Sequence, residues 1–339
     1  MLQSVIYSLI LRMTSRWSAQ VLQRIPTAGR RHTRMMPTAG RRFRTSLLLL
    51  GLLLGLLTGS VFGQTLRFAP LPMQDPETVV REVRPMLAYL SRELGVEVAI
   101  DYSTSYDEVL ERFRGGEVDL AYLGPLPYVL LREQYPHARP LVAFREPGGD
   151  ALYTCSVVMF ADDRRPMREL AGESVALTQP LSTCGYLATA HLLGSGGVQL
   201  QDTRYRYLEH HDDVALAVVR GEVMAGGLKT HIARKYAHLG LQALAETEPL
   251  PGFALVVNDE TVSEEHRREL REALVRLAPG QSAADAERMA EWGESLRHGA
   301  QPVSNEDYDP VRRLRLGTPI PGRVVPDLPG RSVKADTSP

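Results

Sequence analysis

A layered α/β protein is the fold class that the sequence predicts, and three observations predict it. Short β-branched and apolar runs alternate with longer segments whose apolar residues recur at helical spacing. Ser-based capping signals and glycine stops punctuate the helical segments. The 339 residues are 44% hydrophobic and 23% charged, a globular composition long enough for two domains. Such alternation implies mostly parallel sheets, whose ligands bind beyond the carboxyl ends of the strands.

Residues 65–69 are the first expected strand, followed by a Pro-rich loop through Pro76. Residues 78–94 place Val79, Val83, Met86, Leu87, Leu90 and Leu94 on one helical face, with Pro85 expected to kink the helix or end its first segment. Gly95 stops it, and 96–100 is a strand. Ser105 and Glu108 form a capping box that sets Tyr106 at the mouth of the next helix. Residues 118–123 are a strand ending in Gly124-Pro125, and 127–132 begin a helix. Strands are expected at 141–144 and 153–160. From Val175 the alternation resumes: strands at 205–208, 223–227, 241–245 and 254–257, and helices at 213–220 and 229–239. Ser263 caps a further helix, and 283–297 is the last. From about Gln301 the chain is rich in Pro, Arg and Gly and reads as a tail.

The N-terminus reads as an address. Residues 1–63 hold nine Arg and no Asp, Glu or Lys, so the rest of the chain holds 30 basic against 40 acidic residues although the whole has a net charge of −1. An acidic body argues against a nucleic-acid partner and requires a local site for any anion. A basic segment ending at Arg44, an apolar run over 47–57 and small residues before Gln64 make a cleavable secretory signal peptide. The repeat PTAGRR at 26–31 and 37–42, with Met35 and Met36 before its second copy, places the expected start of translation at one of those methionines.

The stretch Gln179-Pro180-Leu181-Ser182-Thr183-Cys184-Gly185-Tyr186 follows an apolar strand and precedes a helix over 186–193. Unpaired amides at a helix start favour an anion, and Ser182 and Thr183 add hydroxyls. An ordinary Ser/Thr cap explains the same residues. His210 and His211 beside Asp212 read, on these residues alone, as a capped or hydrogen-bonded loop, and Lys229 reads as a local positive charge or, in preference, as a solvated lysine at a helix start. His231, Tyr236 and His238 form no metal-binding pattern.

Three spaced motifs carry a resemblance. Ser105-Tyr106 followed by RGGEVDLAYLGP over 114–125, LSTCGY over 181–186 and HHDDVALAVVRGEV over 210–223 resemble, in that order, the signatures of the phosphate/phosphite/phosphonate-binding proteins of ABC transporters. The similarity runs from about residue 65 to 277. It implies a two-lobed type II periplasmic binding fold, each lobe a central β-sheet flanked by helices, joined by a hinge. Lobe one is then 64–152 with 253–300 returning to it, and lobe two 153–252, between the extension of 1–63 and the tail of 301–339. It implies a monomeric periplasmic protein, with no cofactor, metal or catalysis, that captures a small oxyanion for an ABC permease. Tyr106, Tyr128, Tyr153, Ser182, Thr183 and His211 carry over as ligand contacts, with the amides of 182–185, Gly185 included, holding oxyanion oxygens.

The sequence departs from that family at Cys184, where a Ser is usual, and at Met224, where an Asp is usual. Cys155 falls beside the cleft-lining positions. The two cysteines leave three states open: a structural disulfide, two inert core thiols, or a soft site with Met224 for a metalloid such as arsenite. The last makes the chain an arsenite receptor signalling to a membrane sensor kinase. A further reading, an enzyme with Cys184 as nucleophile and His211 as base, lacks a third orienting group.

Overall fold

The computed structural model describes residues 65–321; the expected signal peptide and start sites lie outside them. Two sheets organise this part of the chain. The first contains β1 (Thr65–Pro70), β2 (Glu97–Ile100), β3 (Leu120–Leu123) and β4 (Ala138–Phe144). The chain then passes through β5 (Leu152–Tyr153) into a second sheet made by β6 (Cys155–Phe160), β7 (Ser174–Leu177), β8 (Arg204–Tyr207), β9 (Ala225–Lys229) and β10 (Leu241–Glu246). It returns through β11 (Leu250–Pro251), and β12 (Ala254–Asn258) and β13 (Ala300–Pro302) complete the first sheet. Strand orders are β13-β4-β12-β3-β1-β2 and β10-β6-β9-β7-β8.

Each sheet is mixed rather than mostly parallel. β1 is parallel to β2 and β3, and β7 to β8 and β9. β12 runs antiparallel to β3 and β4, and β6 antiparallel to β9 and β10. The antiparallel members are those nearest in sequence to the crossings between sheets, where the chain enters from the opposite end. The crossings themselves pair, β5 with β11 antiparallel. A Cβ at Gly252 would lie 3.0 Å from the carbonyl oxygens of Phe144 and Ala151, so only glycine lets the two crossings approach this closely.

Local signals explain the elements around the site. Asp75 accepts the N–H of Thr78 at 2.9 Å and Pro76 opens the helix Pro76–Leu94. That helix continues through Pro85. The missing hydrogen bond is tolerated because Val83, Met86, Leu87 and Leu90 are all buried on its core face, and packing outweighs one lost bond. Ser105 caps the helix Tyr106–Arg114, while Glu108 reaches back to Thr104, at 2.7 Å from its N–H. Arg67 and Asp119 form a fork at 2.9 Å on both arms that ties β1 to the start of β3. The last expected helix is shorter than its apolar spacing suggests, spanning Ala283–Met289.

Residues 301–321 are not a tail. Tyr308 is fully buried, its hydroxyl donates to the Gly252 carbonyl at 3.1 Å, and its ring centre lies 4.5 Å from that of Tyr128. The helix Asp309–Leu316 buries Val311 and pairs Arg315 with Glu133. Pro319 accepts a 2.8 Å hydrogen bond from Tyr186 of the second lobe. The composition misled because isolated anchors hold this strap rather than a periodic apolar face. Among the described residues no helix is long and apolar enough to cross a membrane.

Tyr308→Ala is expected to lower unfolding stability by about 3–5 kcal/mol, measured by urea denaturation. Leu316→Ala, exposed on the neighbouring helix, is expected to change it by less than about 0.5 kcal/mol.

Candidate functional site

A cavity of 520 Å³ opens between the two lobes, lined by Leu71 and Tyr122 on one side, His211 and Lys229 on the other, and Glu146 beside the crossings. Lys229 ends β9, at the carboxyl edge of the second sheet, and is only 7% exposed. Its ammonium lies 3.3 Å from Glu146 Oε1, 4.8 Å from the Tyr153 ring centre and 4.2 Å from that of Phe253. Burial pulls its pKa down, and Glu146 works against that pull. Two ring faces and one carboxylate therefore keep a positive charge in a half-dry cleft.

His211 opens the helix His211–Val219, and its Nδ1 accepts the N–H of Lys229 at 3.3 Å. That bond places the ring proton on Nε2, which leaves a neutral donor. Burial first, then the Lys229 and His231 charges, push its pKa down to about 3. His231 Nδ1 stands 3.8 Å from the other oxygen of Glu146.

The loop after β7 does not line this cavity. Ser182 Oγ accepts the Gly185 N–H at 3.0 Å, and the Ser182 carbonyl takes both Tyr186 and Leu187 N–H at 3.2 Å. The helix thus starts with a wide π-type turn over Thr183–Ala188 and continues as Thr189–Ser195. A Cβ at Gly185 would lie 1.8 Å from Thr178 Oγ1, so glycine is required for this turn to sit on the strand end. Thr183 Oγ1 accepts the Leu126 N–H from the first lobe at 3.0 Å. Pro125 and Pro127 lack N–H groups, and Tyr128 N–H bonds to Gly124. Leu126 is therefore the one outward donor in the first turn of that helix. The lobes meet again where Gln179 Nε2 donates to the Pro72 carbonyl at 3.1 Å and His210 Nδ1 lies 2.9 Å from the Met73 carbonyl oxygen.

The residues singled out in the sequence separate into three groups. His211 lines the cavity, while Tyr106, Tyr153, Ser182 and Thr183 are buried and do not line it. Burial raises the phenols of Tyr106, Tyr122 and Tyr153 above the usual tyrosine range. The Tyr153 hydroxyl is buried without a well-formed hydrogen bond. Other expectations need correction. The Gly185 N–H is already held by Ser182, so the cap reading describes those two residues. Tyr128 turns away, donating to Asn305 Oδ1 at 2.9 Å. Met224 precedes β9, and its N–H bonds to Ser174 at the start of β7. Parallel pairing puts both residues at the opposite edge of the sheet from the cleft.

Cys155 and Cys184 form a disulfide, with α-carbons 5.0 Å apart. No thiol remains for a metalloid, and none for a nucleophile. The bond instead fixes the first strand of the second lobe to the helix that begins at Thr183.

Sequence reasoning set Lys229 aside as a solvated lysine and singled out neither Glu146 nor Tyr122 as site residues. One signal was present for the first: the chain has three lysines among 39 Lys and Arg residues. Lysine can be buried with a shifted pKa in a way that arginine cannot. Nothing local marked Glu146.

The family model for ABC-transporter phosphonate periplasmic substrate-binding proteins matches residues 68–308. The chain belongs to this family. Its members are transport components that bind substrate rather than enzymes. The "Phosphate-import protein PhnD" of Mycolicibacterium smegmatis is 25% identical over 281 residues, covering 76% of this chain and 87% of that protein. PhnD1 from Prochlorococcus marinus, solved with methylphosphonate, matches with TM-score 0.63 at 17% identity, covering 74% of this chain and 96% of its own. The binding component of an ABC phosphonate transporter from Pseudomonas aeruginosa matches with TM-score 0.62 at 18% identity, over 75% and 86%. These structures share the type II periplasmic binding fold.

With His211 held near pKa 3 against about 6.5 in the unfolded chain, the unfolded state binds one more proton between those values. Stability is therefore lost as pH falls through that window, by about 1.4 kcal/mol per unit from this group. Melting temperatures from pH 7 to 4 are expected to fall more steeply for the native protein than for His211→Gln. Reduction of the disulfide, which closes a 29-residue separation, is expected to lower stability by about 3–4 kcal/mol, measured by urea denaturation with and without dithiothreitol.

Proposed function

We propose that this protein captures a small oxyanion of the phosphate, phosphite or phosphonate type between its lobes and presents it to an ABC permease. The observation that carries the reading is Lys229, a buried ammonium at a strand's carboxyl edge whose one close carboxylate, Glu146, comes from the crossing segment. Anion capture needs a fixed positive charge that is poorly hydrated before the ligand arrives, and this lysine supplies one.

The remaining donors are neutral and directional. His211 offers Nε2–H, and the hydroxyl of Tyr153 has no well-formed bond to lose. Thr183 accepts the Leu126 N–H across the lobes, and its own hydroxyl proton is left to donate. Each bond counts for more inside the closed cleft than in water. Glu146 can only accept. It therefore favours an oxyanion that keeps a proton and disfavours a fully ionised one such as sulfate. No bond of the ligand is made or broken.

Titration calorimetry with phosphate, phosphite, methylphosphonate and sulfate tests the reading. Lys229→Met is expected to weaken the best of these at least about tenfold, since a hydrogen bond to a charged group contributes about 1.5–3 kcal/mol. Glu146→Gln is expected to narrow the gap between phosphate and sulfate. Equal affinities in the native protein and Lys229→Met would remove the proposal.

A further inference from the structure

Cys155 and Lys229 stand directly opposite each other in the antiparallel pairing of β6 with β9. Their backbone groups bond elsewhere. The Cys155 N–H donates to Thr247 Oγ1 at 3.1 Å, its carbonyl accepts the Thr247 N–H at 2.9 Å, and the Lys229 N–H donates to His211 Nδ1. An opposed pair without mutual backbone bonds brings its side chains closest, with β-carbons about 4.5–5.5 Å apart on one face of the sheet. The disulfide therefore begins beside the stem of the buried lysine.

The other end of the bridge is held on the same face. Gly227 and Lys229 are two residues apart in β9 and so point to one side of the sheet. A Cβ at Gly227 would collide with the Thr189 side chain, which puts the helix that follows Cys184 on that side. The Thr189 hydroxyl donates to the Cys184 carbonyl at 2.7 Å and so fixes Cys184 to the next turn. Both cysteines are buried. One closed surface thus runs from Gly227 beneath Thr189 to the sulfur bridge beside Lys229. Tyr153, whose ring centre lies 4.8 Å from the ammonium, enters the second lobe two residues before Cys155.

A lysine stem is flexible and its ammonium is strongly hydrated, so an unwalled one turns toward water. We infer that the Cys155–Cys184 bridge is a positioning device for Lys229. It closes the space beside the stem and keeps the ammonium over Tyr153 and Phe253, in reach of Glu146 and of an incoming oxyanion. The bridge touches no ligand and acts through the lysine. This deepens the oxyanion reading and rests on it. It also ties capture to the oxidation state of the pair. A dithiol that opens the bridge supplies two electrons and two protons, the S–S bond becomes two thiols, and the dithiol closes to its own disulfide.

Titration calorimetry with phosphate, phosphite and methylphosphonate on four proteins tests it: the native chain, Lys229→Met, Cys155→Ala with Cys184→Ala, and all three substitutions together. For the ligand that the native protein binds best, loss of the bridge is expected to weaken binding at least about fivefold with Lys229 present and less than about twofold in the Lys229→Met background. A bridge that only stabilised the lobe would weaken both backgrounds alike. Equal losses therefore overturn the inference, as does unchanged affinity in the folded alanine pair. Circular dichroism establishes folding. If the alanine pair does not fold, native protein and Lys229→Met reduced with dithiothreitol after folding take its place. Unfolding of the reduced protein as well overturns the inference, since the bridge then holds the fold and not the lysine. Each of these results leaves the oxyanion reading standing. Failure of the native protein to bind any of the three ligands, or equal binding by Lys229→Met, overturns both.

Discussion

A lysine ammonium held out of water must find compensation nearby, and the cleft is arranged around that requirement at Lys229. The chain meets it from distant segments. Glu146 follows β4, Tyr153 lies in the first crossing, and Phe253 follows the second. Each contact spans the junction of the lobes, so the charge also helps define how the halves meet. Burial first, and then this charge, keep His211 neutral. One buried charge thus contributes to the ionisation state of its neighbours.

The loop after β7 is held by its own residues and by a contact across the lobes. Ser182 completes the helix start internally, and Thr183 reaches across to the only outward amide of a proline-flanked turn. The two helix beginnings face each other through one hydroxyl. The disulfide ties that helix to β6, which restricts how far the loop can move. Pre-set geometry of this kind lowers the ordering cost of binding.

Features governed by neighbours in sequence were legible. Ser105 as a cap, Gly95 as a stop and the loop after β7 each follow from a few adjacent residues, and the ordered motifs were enough to recognise the family. What failed depends on direction or distance. The ring of Tyr128 could turn to either side of its helix, and only residues 305 and 308, far along the chain, decide which. Met224 resembled a ligand position by motif alignment, although its place before the strand puts it at the wrong edge. Lys229 looked solvated because its burial comes from residues 146, 153 and 253. The pairing of Cys155 with Cys184 was one of three open states until the α-carbon separation was known.

The strap that reaches Pro319 adds a further hydrogen bond between halves that the covalent chain joins only twice. Tyr186 grips it from the very helix that begins at Thr183. Any wide swing of the second lobe has to break that bond, at a net cost of about 1 kcal/mol. The bond thus favours, by that amount, a gape narrow enough to keep Tyr186 on Pro319.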